Sequence, residues 1–239
     1  MGPSGGGRVV SWTVRGEELA YSSGPWGLMR TGFWWPGDAV LLNRPFSAAT
    51  ERTDDGLRLV LERRIGDEIP ELSGATVRKV YHVPAERPGF RLTTQIVCPG
   101  EREIEFSHRT HNMLAPFRLE HAGRGFALLE TPDGPERYVR QFLKRAFRYA
   151  PVQADSSLDR VLSGYRMDSV GAISRPSFVF GREGSDLRAR LDLDPGSLYA
   201  VVFWDGGAMP CSTFEPMSQR IRLTPGESWS MEAKWTVEP

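Results

Sequence analysis

The chain has 239 residues, 40% of them hydrophobic, and its 30 basic and 30 acidic side chains cancel to a formal net charge of zero. Nucleic-acid binding draws on a clustered excess of lysine and arginine, so this balance argues against a nucleic-acid partner. No stretch approaches the roughly 18 apolar residues of a membrane-spanning helix, and the first residues lack the charged-then-apolar order of a secretory signal. We therefore expect no membrane partner and a cytoplasmic location.

Residues 1–8, which are rich in glycine, predict a disordered lead, and residues 9–239 show no composition shift that would divide them into domains. Residues 56–62 alternate apolar and polar side chains, as a strand with one wet face does. Asp54 and Asp55 predict a hairpin turn at residues 53–56. Further strands are predicted at residues 75–83, 90–97, 103–108, 125–129, 177–180, 187–193, 198–204, 217–223 and 228–237. Short strands at this spacing predict a single all-β sandwich domain.

Residues 136–149, with the sequence ERYVRQFLKRAFRY, break this alternation. Their apolar residues are spaced among basic ones as on one face of a helix. We therefore predict a short amphipathic helix, or an irregular excursion, that covers one edge of the sandwich. A basic groove for an anionic sugar substituent is the alternative.

Glu215 lies at the start of a predicted strand, between Phe214 and Pro216, and follows a glycine-rich loop that begins after Trp204. This partly apolar setting predicts a carboxylate with a raised pKa, which would suit a general base acting on a hydroxyl group. A glutamate that only accepts backbone N–H bonds at a strand end fits the same spacing.

Residues 106–114, FSHRTHNML, place His108 and His111 three positions apart near the end of another predicted strand. No third ligand follows at metal-site spacing, and Cys98 and Cys211 form no CxxC motif, so we expect no metal site. A histidine here can exchange a proton near neutral pH. A histidine that is simply hydrogen-bonded is the alternative.

Residues 26–38, WGLMRTGFWWPGD, place a tryptophan pair in a segment rich in glycine and proline. The faces of Trp34 and Trp35 could pack against a sugar ring, and Arg30 and Arg44 could hydrogen-bond its hydroxyl groups. A hydrophobic plug that closes one end of the sandwich is the alternative.

These three segments, in this order, resemble the aldose 1-epimerase (galactose mutarotase-like) superfamily, and most closely its hexose-6-phosphate 1-epimerase-like branch. The resemblance runs from about residue 26 to residue 239 and implies a large antiparallel β-supersandwich. One family feature is missing, because residues 40–43, VLLN, contain no histidine before the second arginine. The matching motifs are Arg30-Thr-Gly, Trp35-Pro-Gly, Arg44, Arg109-Thr-His-Asn112, Phe214-Glu-Pro216 and residues 223–229.

The resemblance implies that the protein interconverts sugar anomers, with no cofactor or metal. Glu215 would take the proton of the anomeric hydroxyl, while His111, facing it across a sugar-sized gap, would protonate the ring oxygen. The expected partner is a small-molecule sugar or sugar phosphate, and the oligomeric state stays open. The candidate substrate ligands are Arg30, Arg44, Trp34, Trp35, Arg109 and Asp205.

Two other functions fit the same residues. A non-catalytic carbohydrate-binding module would keep the cleft without turnover, which the missing histidine favours. A glycosidase or polysaccharide lyase on a similar sandwich is the other. A hydrolase needs two carboxylates roughly 5 to 9.5 Å apart, for which Glu215 and Asp205 are the candidates.

Overall fold

The computed structural model describes residues 6–22, 27–35, 39–40, 44–140, 144–205 and 210–238. The strands, in chain order, are β1 (Thr13–Val14), β2 (Glu17–Glu18), β3 (Arg30–Trp35), β4 (Ala39–Val40), β5 (Ser47–Thr53), β6 (Gly56–Arg64), β7 (Thr76–Pro84), β8 (Gly89–Val97), β9 (Ile104–Arg118), β10 (Gly125–Thr131), β11 (Gly134–Val139), β12 (Arg145–Tyr149), β13 (Ser169–Ile173), β14 (Ser177–Arg182), β15 (Arg188–Leu193), β16 (Leu198–Trp204), β17 (Cys211–Ser218), β18 (Ile221–Leu223) and β19 (Ser228–Glu238). The helix α1 spans Ser156–Gly164, and 3-10 turns lie at Pro70–Leu72 and Leu119–His121.

Within these residues, the strands form two large sheets and one small pair, β1-β2. The first large sheet has nine strands in the order β11-β10-β14-β15-β19-β8-β7-β6-β5. The second has eight strands: seven follow the order β13-β12-β16-β17-β9-β3-β4, and the eighth, β18, pairs with β9. The pairs within the two sheets are antiparallel, except that β12 and β13 run parallel. The predicted all-β sandwich is confirmed.

The two sheets meet in a hydrophobic core. Phe178 and Phe180 of the first sheet lie 4.9 and 5.0 Å, between ring centroids, from Phe214 of the second. Burying one such side chain stabilises the fold by about 1.5–3 kcal/mol. The predicted hairpin is also present, because Thr53 pairs with Gly56 across Asp54 and Asp55. The division into one domain over residues 9–239 stays a prediction.

The helix predicted over residues 136–149 is wrong. Residues 134–139 and 145–149 are the strands β11 and β12, and residues 141–143 lie outside the described part of the chain. Ala146 and Phe147 are adjacent and both apolar because both faces of β12 are covered, and this run does not alternate as a strand with one wet face would. Phe147 packs into the core between the sheets, whereas Ala146 packs against the opposite, outer layer.

The outer layer is formed by α1, a helix that was not predicted from the sequence. Asp155 caps the helix, because its carboxylate accepts hydrogen bonds from the backbone N–H groups of Ser157 and Leu158. Leu158 and Leu162 are buried and pack together with Trp34 on the outer face of the eight-stranded sheet. The capping aspartate and the spacing of these leucines are the features that could have predicted the helix.

Residues 1–5 of the predicted disordered lead lie outside the described residues, but Gly7 and Arg8 are buried. The carbonyl of Gly7 accepts hydrogen bonds from Lys79 Nζ at 2.9 Å and from the Tyr81 hydroxyl at 2.7 Å. At these positions the structure therefore differs from the prediction, because the segment satisfies polar groups that point into the core.

Lys79 is fully buried, and burial lowers its pKa to about 7. Its amine donates to the carbonyls of Gly7 and Met29, which a neutral amine with two hydrogens can satisfy. Between pH 7 and 9 the unfolded chain keeps this proton while the folded chain releases it, so stability should rise with pH. We expect the free energy of unfolding, measured with urea, to rise by about 2 kcal/mol from pH 7 to pH 9. This rise should be absent in Lys79→Met. Lys234→Met, at an exposed lysine of β19, should keep the rise; equal slopes in all three proteins would contradict it.

Both cysteines are free and buried, and burial raises the pKa of Cys211 to about 12, which makes its thiol unreactive. None of the described helices is long and apolar enough to cross a membrane. The predicted cytoplasmic location stays a prediction.

Candidate active site on the eight-stranded sheet

The candidate site is built on three neighbouring strands, β3, β9 and β17. Arg30 of β3 pairs in register with His111 of β9, and Phe214 of β17 pairs with Asn112. Residues opposite each other on antiparallel strands share a face, and successive residues of a strand alternate between faces. Phe214 packs into the core, so the next residue, Glu215, lies on the outer face. Arg30 and His111 lie on this face as well. Arg109, two residues before His111, lies on the same face. We call Arg30, Arg109, His111 and Glu215 the site cluster.

Within the site cluster, the carboxylate of Glu215 is the centre of the contacts. His111 Nδ1 lies 3.0 Å from Glu215 Oε1, and Arg109 Nη1 lies 3.6 Å from Oε2. The Thr213 hydroxyl donates to Oε1 at 2.5 Å. A carboxylate can only accept, so His111 carries a proton on Nδ1 and its Nε2 is the atom that exchanges. All four residues of the site cluster are buried.

The pKa of Glu215 is lowered to about 2, not raised as predicted. Burial raises it, but the charge of His111 and its hydrogen bond, the charge of Arg109 and the hydrogen bond from Thr213 lower it further. The sequence showed the apolar neighbours Phe214 and Pro216, but the two charged partners that outweigh burial, His111 and Arg109, come from another strand, β9. Glu215 is therefore a stable carboxylate at neutral pH.

The pKa of His111 is lowered. Burial is the largest cause, Glu215 opposes it, and the charges of Arg109 and Arg30 lower the pKa further. The neutral imidazole therefore dominates at neutral pH in the free protein.

The predicted sugar-sized gap between His111 and Glu215 is absent. The two side chains are cross-strand neighbours on β9 and β17, and such neighbours touch directly. A sugar would therefore have to approach over the pair instead of lying between its two members.

Comparison with solved structures identifies the architecture. The Slr1438 protein from Synechocystis sp. PCC 6803 is similar with a TM-score of 0.66 at 16% identity, covering 99% of this chain and 90% of that one. A galactose mutarotase related enzyme from Lactobacillus acidophilus is similar with a TM-score of 0.56 at 9% identity, covering 94% of this chain and 88% of that one. A galactose mutarotase-like protein from Clostridium acetobutylicum has a TM-score of 0.52 at 13% identity, covering 98% of this chain and 76% of that one. The fold is galactose mutarotase-like. Neither a protein-family model nor a curated protein matches the sequence.

In this mutarotase-like fold, the two tryptophans occupy different positions. Trp34 is 1% exposed, with the Arg109 guanidinium 5.1 Å from its ring centroid and the Tyr165 ring 4.5 Å away. Its ring therefore supports Arg109 and is not open for stacking on a sugar. Trp35 is partly exposed, with Arg220 6.0 Å from its centroid, and remains the candidate for stacking.

Asp205 is held by a cation. Its two carboxylate oxygens accept from Arg140 Nε and Nη2, each at 3.1 Å, and both side chains are 0% exposed. Because both carboxylate oxygens already accept from Arg140, Asp205 has little capacity left to bind a sugar hydroxyl. The same pairing argues against Asp205 as the second carboxylate of a glycosidase. Arg140 was missed because its segment resembled a helix.

The remaining predicted residues lie apart. Arg44 is exposed, and residues 41–43 before it are outside the described part of the chain. His108 points into the core between the sheets, where burial and the charge of Lys79 lower its pKa to about 3. His108 and His111 thus lie on opposite faces of β9. Among the described residues, no three His, Cys, Asp or Glu side chains are grouped to hold a metal ion.

Proposed function

We propose that the protein is an aldose 1-epimerase-like enzyme that interconverts the anomers of a sugar or sugar phosphate by acid/base ring opening. The contact between His111 and Glu215, on the outer face of a mutarotase-like sheet, carries this proposal. Ring opening removes a proton from the anomeric hydroxyl and adds one to the ring oxygen. These two oxygens are bonded to the same carbon, so an acid and a base that touch each other can serve both.

In the proposed reaction, the Glu215 carboxylate takes the proton of the anomeric hydroxyl, and protonated His111 gives the proton on Nε2 to the ring oxygen. The bond between the anomeric carbon and the ring oxygen breaks and an aldehyde forms. Rotation about the neighbouring C–C bond and reclosure from the other face give the second anomer, with both protons returned. The positive charges of Arg109 and Arg30, which act on His111 in the free protein, support the developing negative charge of the substrate.

A non-catalytic carbohydrate-binding protein is the second candidate. The site cluster favours it in one respect, because His111, Arg109 and Glu215 already contact one another. A carboxylate with a pKa of about 2 is also a weak base. The absence of a histidine at residues 40–43 fits this function as well.

NMR exchange spectroscopy on neutral aldohexoses and their 6-phosphates separates the two candidates. An epimerase should transfer magnetisation between the two anomer signals faster than buffer alone, with at least one of these sugars. A binding protein should broaden or shift the sugar signals without raising the exchange rate. Sugar binding with exchange at the buffer rate would contradict the enzyme, and no binding of any sugar would contradict both.

The pH dependence of kcat/KM tests the protonation state of His111. The pKa of His111 lies below its ordinary value, and the proposed acid is its protonated form. Above that pKa the active fraction falls, so kcat/KM should drop about tenfold for each pH unit between pH 7 and 8. Polarimetry with subtraction of the buffer rate at each pH measures this. A rate that rises instead and then levels off would make neutral His111 a base that Glu215 only orients.

A further inference from the structure

The side chain of Asn112 connects the three strands that carry the site cluster. It follows His111 on β9 and is fully buried on the core side of the sheet. Its Oδ1 accepts from the backbone N–H of Met29 at 2.9 Å, and its Nδ2 donates to the carbonyl of Phe214 at 3.1 Å. Met29 immediately precedes Arg30, and Phe214 immediately precedes Glu215. The Asn112 amide therefore bonds to the residues that precede Arg30 and Glu215 in the chain. Asn112 itself follows His111.

Met29 has an unusual backbone conformation that these contacts support. Its φ of 57° lies in the left-handed region, which non-glycine residues seldom adopt. Three buried groups from other strands hold it there: Asn112 at its N–H, Lys79 at its carbonyl, and Trp235 Nε1 at its sulfur at 3.1 Å. If Met29 relaxed to an extended conformation, the direction of Arg30 on the next residue would change.

We propose that Asn112 is a positioning residue, which holds Arg30 and Glu215 at fixed places around His111 by bonding to Met29 and Phe214. The inference rests on the proposed function. Its physical basis is that small displacements of reacting groups reduce rates steeply. Asn112 touches no substrate in this arrangement, because it lies on the core side of β9.

The test compares Asn112→Leu, which keeps the size of the side chain but removes both hydrogen bonds, with the wild type. We expect kcat/KM for sugar anomer exchange to fall between about tenfold and a hundredfold. We also expect the pKa of His111, followed by NMR of its ring protons, to shift by at least about half a unit. The shift is upward if Arg30 withdraws and downward if Glu215 withdraws. His111→Gln assigns the signal among the four histidines.

Ser107→Ala is the matched control. Ser107 is buried on the same strand and donates to the carbonyl of Ser218 at 2.7 Å, but it bonds neither Met29 nor Phe214. It should leave both kcat/KM and the pKa of His111 unchanged. Equal changes in Ser107→Ala, or a folded Asn112→Leu with both readouts unchanged, would overturn the proposal.

The test also covers a variant that fails to fold and a wild type without anomer exchange. If Asn112→Leu does not fold, Asn112→Ser takes its place, because serine is polar but too short to span both contacts, and the same outcomes apply. If the wild type shows no anomer exchange, the proposed function fails, while the pKa of His111 still decides whether Asn112 positions its neighbours.

Discussion

Glu215→Gln is expected to slow anomer exchange by about 10² to 10⁴-fold, which is the usual contribution of one proton-transfer partner. The amide keeps the size of the side chain and can still accept from Thr213, which bonds Oε1 in the wild type. It cannot take the proton of the anomeric hydroxyl. The rate is measured by NMR exchange spectroscopy at saturating sugar, with the buffer rate subtracted.

Glu232→Gln is the control, since Glu232 is an exposed glutamate of β19 and makes a surface contact with Arg91. Its rate should equal that of the wild type. An unchanged rate in Glu215→Gln would remove Glu215 from the chemistry. Equal sugar binding by wild type and Glu215→Gln, with neither faster than buffer, would instead identify a binding protein.

Asp205→Asn should lower the free energy of unfolding by about 3–5 kcal/mol, because it leaves the buried Arg140 guanidinium without the anion that compensates its charge. Arg140 follows β11 of the first sheet and Asp205 follows β16 of the second, so the pair joins the two sheets. Arg140 Nη1 also donates to the carbonyl of Phe117 at 2.7 Å. Urea unfolding followed by tryptophan fluorescence measures the loss.

Two comparisons show whether burial causes this effect. The double variant Arg140→Met with Asp205→Leu removes both charges and should recover most of the loss. Glu51→Gln breaks an exposed pair with Arg58, where the Glu51 side chain is 64% exposed, and should cost less than about 1 kcal/mol. A similar small cost for Asp205→Asn would mean that water reaches the buried pair after all.

The sequence predicted the sandwich because its strands alternate with period two and its turns have distinctive residues. Asp54 and Asp55 placed one hairpin correctly, since a two-residue turn is set by local chemistry. The motifs around His111 and Glu215 resembled one superfamily, whose fold the structure confirms. These features depend on residues close together in the chain.

Features that depend on covering layers could not be predicted locally. Residues 136–149 resembled a helix because Ala146 and Phe147 are both apolar, yet each packs against a different layer of the folded protein. Trp34 looked like an open aromatic platform, but α1 and Tyr165 cover it.

By itself, then, the sequence determined the all-β class, the mutarotase-like motifs and the identity of the acid and base candidates, because periodicity and motif order are properties of the chain. Only the tertiary structure decided that His111 contacts Glu215, that the pKa of Glu215 falls to about 2, and that Arg140 holds Asp205. These pairs join residues 65 or more positions apart, and the energy of a buried charge depends on which partner the fold brings to it.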